Sequence, residues 1–188
     1  MKKALLIAAA VMFVASSAFA LPGTGYIGLF KDVTHNTDPA ANTVCAGPYG
    51  MIHCWIWALP SARGLQAAEF KINFPAVALV QTTVKNPSIT AELGTLANGI
   101  SVAFGSCQMD WLWIYDLGIV ILSPTPVIAK IDIVEHPTTL PLPAIQFANC
   151  QLVLEPFIYL TPLYLCWVPD PGPLGVQETN WGAIKSLF

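Results

Sequence analysis

An antiparallel β-sandwich, all-β with about nine strands and one short C-terminal helix, is the fold this sequence predicts, and three observations predict it. Apolar or alternating runs of strand length follow one another along the chain. Pro, Gly, Asn, Ser and Thr separate them. The 16 prolines argue against long helices, because each removes a backbone donor and clashes with the preceding turn. Many short strands at regular spacing read as a sandwich or barrel.

The runs place strands near residues 25–30, 49–59, 66–74, 78–84, 100–104, 112–122, 127–134, 145–154 and 157–168. Parity assigns their faces. Met51, His53, Trp55 and Trp57 share one face of the second run, and Ile52, Cys54, Ile56 and Ala58 share the other. In the third run Phe70, Ile72 and Phe74 point one way while Lys71 and Asn73 point the other. The one helix falls at residues 179–188, capped by Thr179 or Asn180, with Trp181, Ile184 and Phe188 on one face. A helix so short is unstable alone, so that face must dock on this domain or on another protein.

Residues 1–20 read as a cleavable signal peptide. Lys2 and Lys3 form the positive start, an apolar run follows over 4–14, and Ala18-Phe19-Ala20 supplies the small-residue cleavage site. The apolar run is shorter than the roughly 20 residues a membrane span needs, and no later segment reads as a transmembrane helix. A β-sandwich domain over 21–178 and a helical tail over 179–188 follow. Its expected location is outside the cytoplasm: periplasm, cell surface or beyond.

Without Lys2 and Lys3, six basic residues face eleven acidic ones, and no Lys/Arg cluster exists. Nucleic acid binding is therefore excluded. Charged residues are only 10% of the chain, against a usual ~25%. Such a surface is either polar through uncharged side chains or covered by self-association or a standing protein partner.

Five cysteines suit an oxidising compartment. Cys54 sits within a strand-like run, where a lone thiol behaves as a small hydrophobe. Cys45, Cys107, Cys150 and Cys166 lie nearer segment ends and are the disulfide candidates, forming two bridges whose connectivity stays open. No C-x-x-C pair points to zinc.

The inventory for catalysis is thin. His53 lies among aromatic strand residues, and His136 sits at a strand end before Pro137. His35 stands in the most polar segment, where Asp32, His35 and Asp38 can converge on a cation, although an Asx-rich turn gives the same composition. No nucleophile elbow, dinucleotide fingerprint or P-loop occurs, and no cofactor is implied. Glu69, Asp110, Asp116 and Glu155 are the carboxylates a hydrolase would need to bring together. Trp55/Trp57 and Trp111/Trp113 are i, i+2 pairs, so each pair shares a strand face. Exposed, they form a platform for a glycan or apolar ligand; internal, they are core.

The segments Tyr26-Ile27-Gly28-Leu29-Phe30, Pro48-Tyr49-Gly50, 64–72, 102–108, 147–150 and 178–188 together resemble a group of small secreted proteins of environmental bacteria. The resemblance implies export and brings no activity with it. The strand Glu69-Phe70-Lys71-Ile72 is also similar to a strand of cohesin-type and immunoglobulin-like sandwiches, which bears on fold alone. The Trp181-Gly182-Ala183-Ile184-Lys185-Ser186-Leu187-Phe188 ending resembles one that recurs on exported proteins, implying a tail read by a partner or an export machine. The expected function is a non-catalytic structural or protein-interaction module. A tryptophan-based carbohydrate- or ligand-binding domain and a carboxylate hydrolase are the alternatives.

Overall fold

The computed structural model describes residues 24–35, 42–47, 49–123, 125, 127–138 and 144–167. The segment read as a signal peptide, Asp38, and the tail with Trp181, Ile184 and Phe188 lie outside them. The described residues form twelve strands and no helix: β1 (Gly25–Phe30), β2 (Thr43–Ala46), β3 (Met51–Leu59), β4 (Leu65–Asn73), β5 (Ala78–Lys85), β6 (Ile89–Thr95), β7 (Gly99–Gln108), β8 (Leu112–Ile121), β9 (Val127–Val134), β10 (Gln146–Ala148), β11 (Leu154–Tyr159) and β12 (Leu163–Trp167).

The strands assemble as the two layers of a sandwich. The first runs β11-β1-β3-β8-β5. The second is built on β6-β7-β4, whose far edge is shared: residues 67–69 pair with β10 and residues 71–73 with β9, which carries on to β12 and β2. β11 bonds both β1 and β10, so hydrogen bonding is continuous from one layer to the other. The inward sides follow the alternation. Ile52, Cys54, Ile56 and Ala58 of β3 are buried, as are Ala68, Phe70 and Ile72 of β4, and they meet Ile100, Val102 and Phe104 of β7 in one core.

Twelve strands replace the nine expected, for local reasons. β6 exposes all but Ile89, so it carries no apolar alternation to read. β2 is four residues long. The expected strand at 157–168 changes layer partway. Leu160 N–H still donates to Ile27 O (2.8 Å) in the first layer, whereas Leu163 pairs with Ile131 of β9 in the second. Pro162, with no N–H to place, stands at the switch. Two pairings are parallel, β1 with β11 and β2 with β12, so the sheets are not purely antiparallel.

A buried asparagine pins that crossover. Asn42 is 2% exposed, and its Nδ2 donates to Leu29 O (2.7 Å) and Pro162 O (2.6 Å). Its Oδ1 accepts from Lys31 N–H (3.1 Å). These three bonds tie the end of β1 to the point where the chain leaves for the second layer, as buried polar groups require.

Candidate functional site

The outer face of the first layer is written by its register. Leu79, Val120 and Met51 line up across β5, β8 and β3, followed by Thr82, Gly118 and His53. Val84, Asp116 and Trp55 come next, with Phe30 of β1 beyond Trp55, and then Trp113, Trp57 and Gly28. A Cβ at Gly118 would strike the Thr82 hydroxyl, so glycine lets this face close up at its centre. His53 Nδ1 and Asp116 Oδ1 lie 3.2 Å apart, an exposed pair of small energetic consequence. Trp55, Trp57, Trp111 and Trp113 are each half-buried.

The segment after β1 folds back over part of this face. Asp32 Oδ1 accepts from Thr34 N–H (2.8 Å) and Thr34 Oγ1 (2.6 Å), bonds that hold its carboxyl below the ordinary range. That turn delivers His35 at φ 55°, a left-handed backbone that costs about 1–2 kcal/mol for a residue with a Cβ. The ring then stacks on Trp111 at 4.6 Å with planes 5° apart, and meets Trp57 edge-on at 4.0 Å. Phe30 closes the cluster, 6.2 Å from Trp111. Burial lowers the His35 pKa, and the Asp32 charge partly opposes the shift. His35 Nε2 and Trp57 Nε1 are both buried without a hydrogen-bond partner.

Of the three residues expected to hold a cation, Asp32 caps a turn and His35 packs between indoles, and Asp38 lies outside the described residues. Among the described residues no group of three His, Cys, Asp or Glu side chains is placed to bind a metal. Trp57 and Trp111 face this histidine, while Trp55 lies beside His53 (6.2 Å between ring centres) and Trp113 lies opposite Trp57. Parity put the two members of each tryptophan pair on one strand face, and the β3–β8 register brings the pairs together. The sequence held no sign that His35 would lie on Trp57 and Trp111, because that contact depends on a loop conformation.

The outer face of the second layer is its opposite in chemistry. Ala91, Ala103, Ala67 and Ala148 align across β6, β7, β4 and β10. The next row carries Leu93, Ser101 and Glu69, with Ser101 Oγ donating to Glu69 Oε1 (3.1 Å). A shallow hollow of about 140 Å³ lies over these residues, and Leu93 stands at it 74% exposed. The alanine row was readable only with the register known, since its members come from four separated segments.

The remaining candidates divide by location. Cys45 bridges Cys166, its partner across the β2–β12 pair, with Cα atoms 4.4 Å apart. Cys107 bridges Cys150 (Cα–Cα 5.5 Å), linking the end of β7 to the turn between β10 and β11. Gly64, at φ 76°, sits where any Cβ would strike the sulfurs of this second bridge. Cys54 is free and buried in β3, and burial raises its thiol pKa far above the usual value. The four carboxylates occupy separate settings. Glu69 and Asp116 lie on opposite outer faces, and Asp110 accepts from Trp111 N–H (2.7 Å). Glu155 is 5% exposed, and its Oε1 accepts from Arg63 Nη1 (3.2 Å) and Asn149 Nδ2 (2.7 Å). His136 follows β9, with its Nδ1 2.9 Å from Thr138 Oγ1.

No protein-family model and no curated protein matches the chain. Solved structures do match in fold. A chain in the crystal structure of a complex between a CaDoc0917 variant and CaCohA2 superposes with TM-score 0.54 at 10% identity, over 77% of this chain and 99% of that one. The solution structure of CaCohA2 from Clostridium acetobutylicum gives 0.51 at 11%, over 81% and 94%. A type III cohesin module from the cell-surface anchoring scaffoldin ScaE of Ruminococcus flavefaciens gives 0.51 at 12%, over 84% and 92%. At such identities the likeness establishes a cohesin-like β-sandwich.

Proposed function

We propose that the chain is an exported, non-catalytic protein-interaction module whose partner docks on the alanine face of β6, β7, β4 and β10. The observation that carries this reading is the four-alanine row with its hollow and the exposed Leu93 beside it. Side chains cut back to Cβ let a partner's backbone approach a flat sheet closely, and one exposed aliphatic residue supplies an anchor. A structurally similar protein described as part of a two-protein complex supports a protein as the partner. The leader-like residues 1–20 and two disulfides support export.

The test places a photo-crosslinking residue at Leu93 or, separately, at Val84 on the opposite face, in the full chain expressed in its native host. A single protein adduct formed from position 93, absent from position 84 and lost with Ala103→Arg, is the expected result. An adduct from position 84 alone would move the interface to the tryptophan face. Glycan binding lost in Trp55→Ala or Trp113→Ala, with no adduct from either position, would replace the reading with a carbohydrate-binding one.

A further inference from the structure

One end of the sandwich gathers three turns. In the turn after β3, Arg63 O accepts from Cys150 N–H (3.1 Å) of the turn between β10 and β11. The Cys107–Cys150 bridge ties that second turn to the end of β7, and the Met109 sulfur rests 3.4 Å from Cys107 Sγ. Four apolar side chains stand out from this end: Met109 is 63% exposed, Leu152 75%, Val153 48% and Leu154 60%.

Their display is rigidly built. Leu152 has φ 61°, a left-handed backbone that disfavours leucine and that asparagine adopts more readily. Asn149, fully buried, holds the turn in that shape. Its Oδ1 accepts from Gln151 N–H (2.8 Å) and Val153 N–H (3.1 Å), and its C=O accepts from Leu152 N–H (2.9 Å). Its own N–H donates to Val153 O (2.9 Å), and its Nδ2 donates to Glu155 Oε1, which Arg63 also holds. With Cys150 N–H on Arg63 O, every backbone donor from Asn149 to Val153 is bonded within the protein. Strain kept at an outward leucine marks a functional position.

The closed set of donors chooses between two kinds of occupant. A protein partner does not require it, because water or the partner's own groups can meet an open N–H. A bilayer does, because its apolar interior offers no acceptor and a segment entering it must bond its own backbone. The charges at this end are engaged as well: Arg63 pairs with buried Glu155, and Asp110 accepts from Trp111 N–H. We propose that this end inserts Met109, Leu152, Val153 and Leu154 into the surface of a lipid bilayer. Together they carry about the hydrocarbon of one myristoyl chain, so association is weak and reversible, at about 10⁴ M⁻¹ or below. Leu154 borders the alanine row through Ala148, but the insertion does not rest on a partner docked there.

The test is co-sedimentation of the protein, as recovered from its native host, with sucrose-loaded vesicles of phosphatidylethanolamine and phosphatidylglycerol. Wild type should pellet equally at about 0.1 M and about 1 M salt, since no ionic contact drives insertion. Leu152→Asn should weaken association at least about tenfold. It should also keep the urea midpoint at or above the wild-type value, because asparagine accepts the left-handed backbone. Met109→Gln should weaken association about fivefold, and Ala103→Arg should leave it unchanged. No pelleting of wild type, or pelleting abolished by salt, would overturn the proposal. So would pelleting untouched by Leu152→Asn, which places the lipid contact elsewhere in the chain, or pelleting lost with Ala103→Arg, which moves it to the alanine face. A lowered urea midpoint for Leu152→Asn would also overturn it, because Leu152 would then be serving the fold.

Discussion

The two outer faces of the sandwich obey the same strand alternation and finish in opposite states. On the face of β5, β8, β3 and β1 the outward positions carry Trp55, Trp57, Trp113 and Met51, and the chain lays His35 from its own first loop against Trp57 and Trp111. On the face of β6, β7, β4 and β10 the outward positions shrink to alanine and nothing described covers Leu93. Covalent chemistry divides the same way. Both bridges fasten strands of the second layer's extended sheet or its connecting turn, whereas the first layer's cysteine, Cys54, is a free thiol inside β3. Only Cys107–Cys150 holds strands at the alanine face, at the end of β7 and the β10–β11 turn, while Cys45–Cys166 lies further along the same sheet on β2 and β12.

The largest effects should come from breaking that division. The Cys45–Cys166 bridge closes 121 residues and Cys107–Cys150 closes 43. Chain-entropy reasoning gives about 5 kcal/mol for the first and about 4 kcal/mol for the second. Urea unfolding of Cys45→Ser/Cys166→Ser and of Cys107→Ser/Cys150→Ser, against wild type, measures both losses. Cys54 reports on the other layer. Its buried thiol should resist alkylation in each folded variant, reacting only as fast as global unfolding allows. Rapid alkylation of Cys54 once either bridge is gone would show that the first layer depends on the second layer's crosslinks, and the division would fail.

Next in size is the joint between layers. Asn42→Ala strips the donors from Leu29 O and Pro162 O and the acceptor from Lys31 N–H. A cost of about 2–3 kcal/mol is expected from polar groups left unpaired, readable as a lower urea midpoint with an unchanged slope. A changed slope instead would mean that the layers had come apart in the native state.

Asn42 also marks where the sequence stops being legible. Alternation placed the inward faces of β3 and β4 correctly, because a half-buried strand must repeat every two residues. It missed β6, whose outermost position in the second layer removes the contrast between faces. It ran β11 and β12 together, because Pro162 lies inside one apolar run and the change of partner strand is a tertiary event. The tryptophan face could be read from spacing within one strand. The alanine face could not, because alanine at any single position carries no periodic signal, and its meaning comes from four strands in register. The apolar end at Leu152 was equally hidden: it exists only where turns from separate segments meet.

The smallest effect separates a covered face from an open one. His35 is neutral where it stacks, its pKa held below the unfolded value of about 6.5 mainly by burial, with Asp32 opposing and Lys31 beside that turn. Between the lowered folded value and pH about 6.5 the unfolded chain binds more protons than the native one, so stability must rise with pH across that window. Equivalently, the stabilisation from neutral His35 is complete above pH about 6.5 and is lost as the pH falls through the folded pKa. Asp32 stays ionised in that window, its own pKa being lowered below 3.8, so it adds no slope there. His35→Phe keeps a ring against Trp111 and Trp57 while removing the proton, and should flatten the stability profile below pH about 6.5 relative to wild type. Comparing the two profiles cancels His53 and His136, which both proteins retain. Identical profiles would mean that the ring is solvated in the native state, leaving Trp57 and Trp111 as open to a ligand as Trp55 and Trp113.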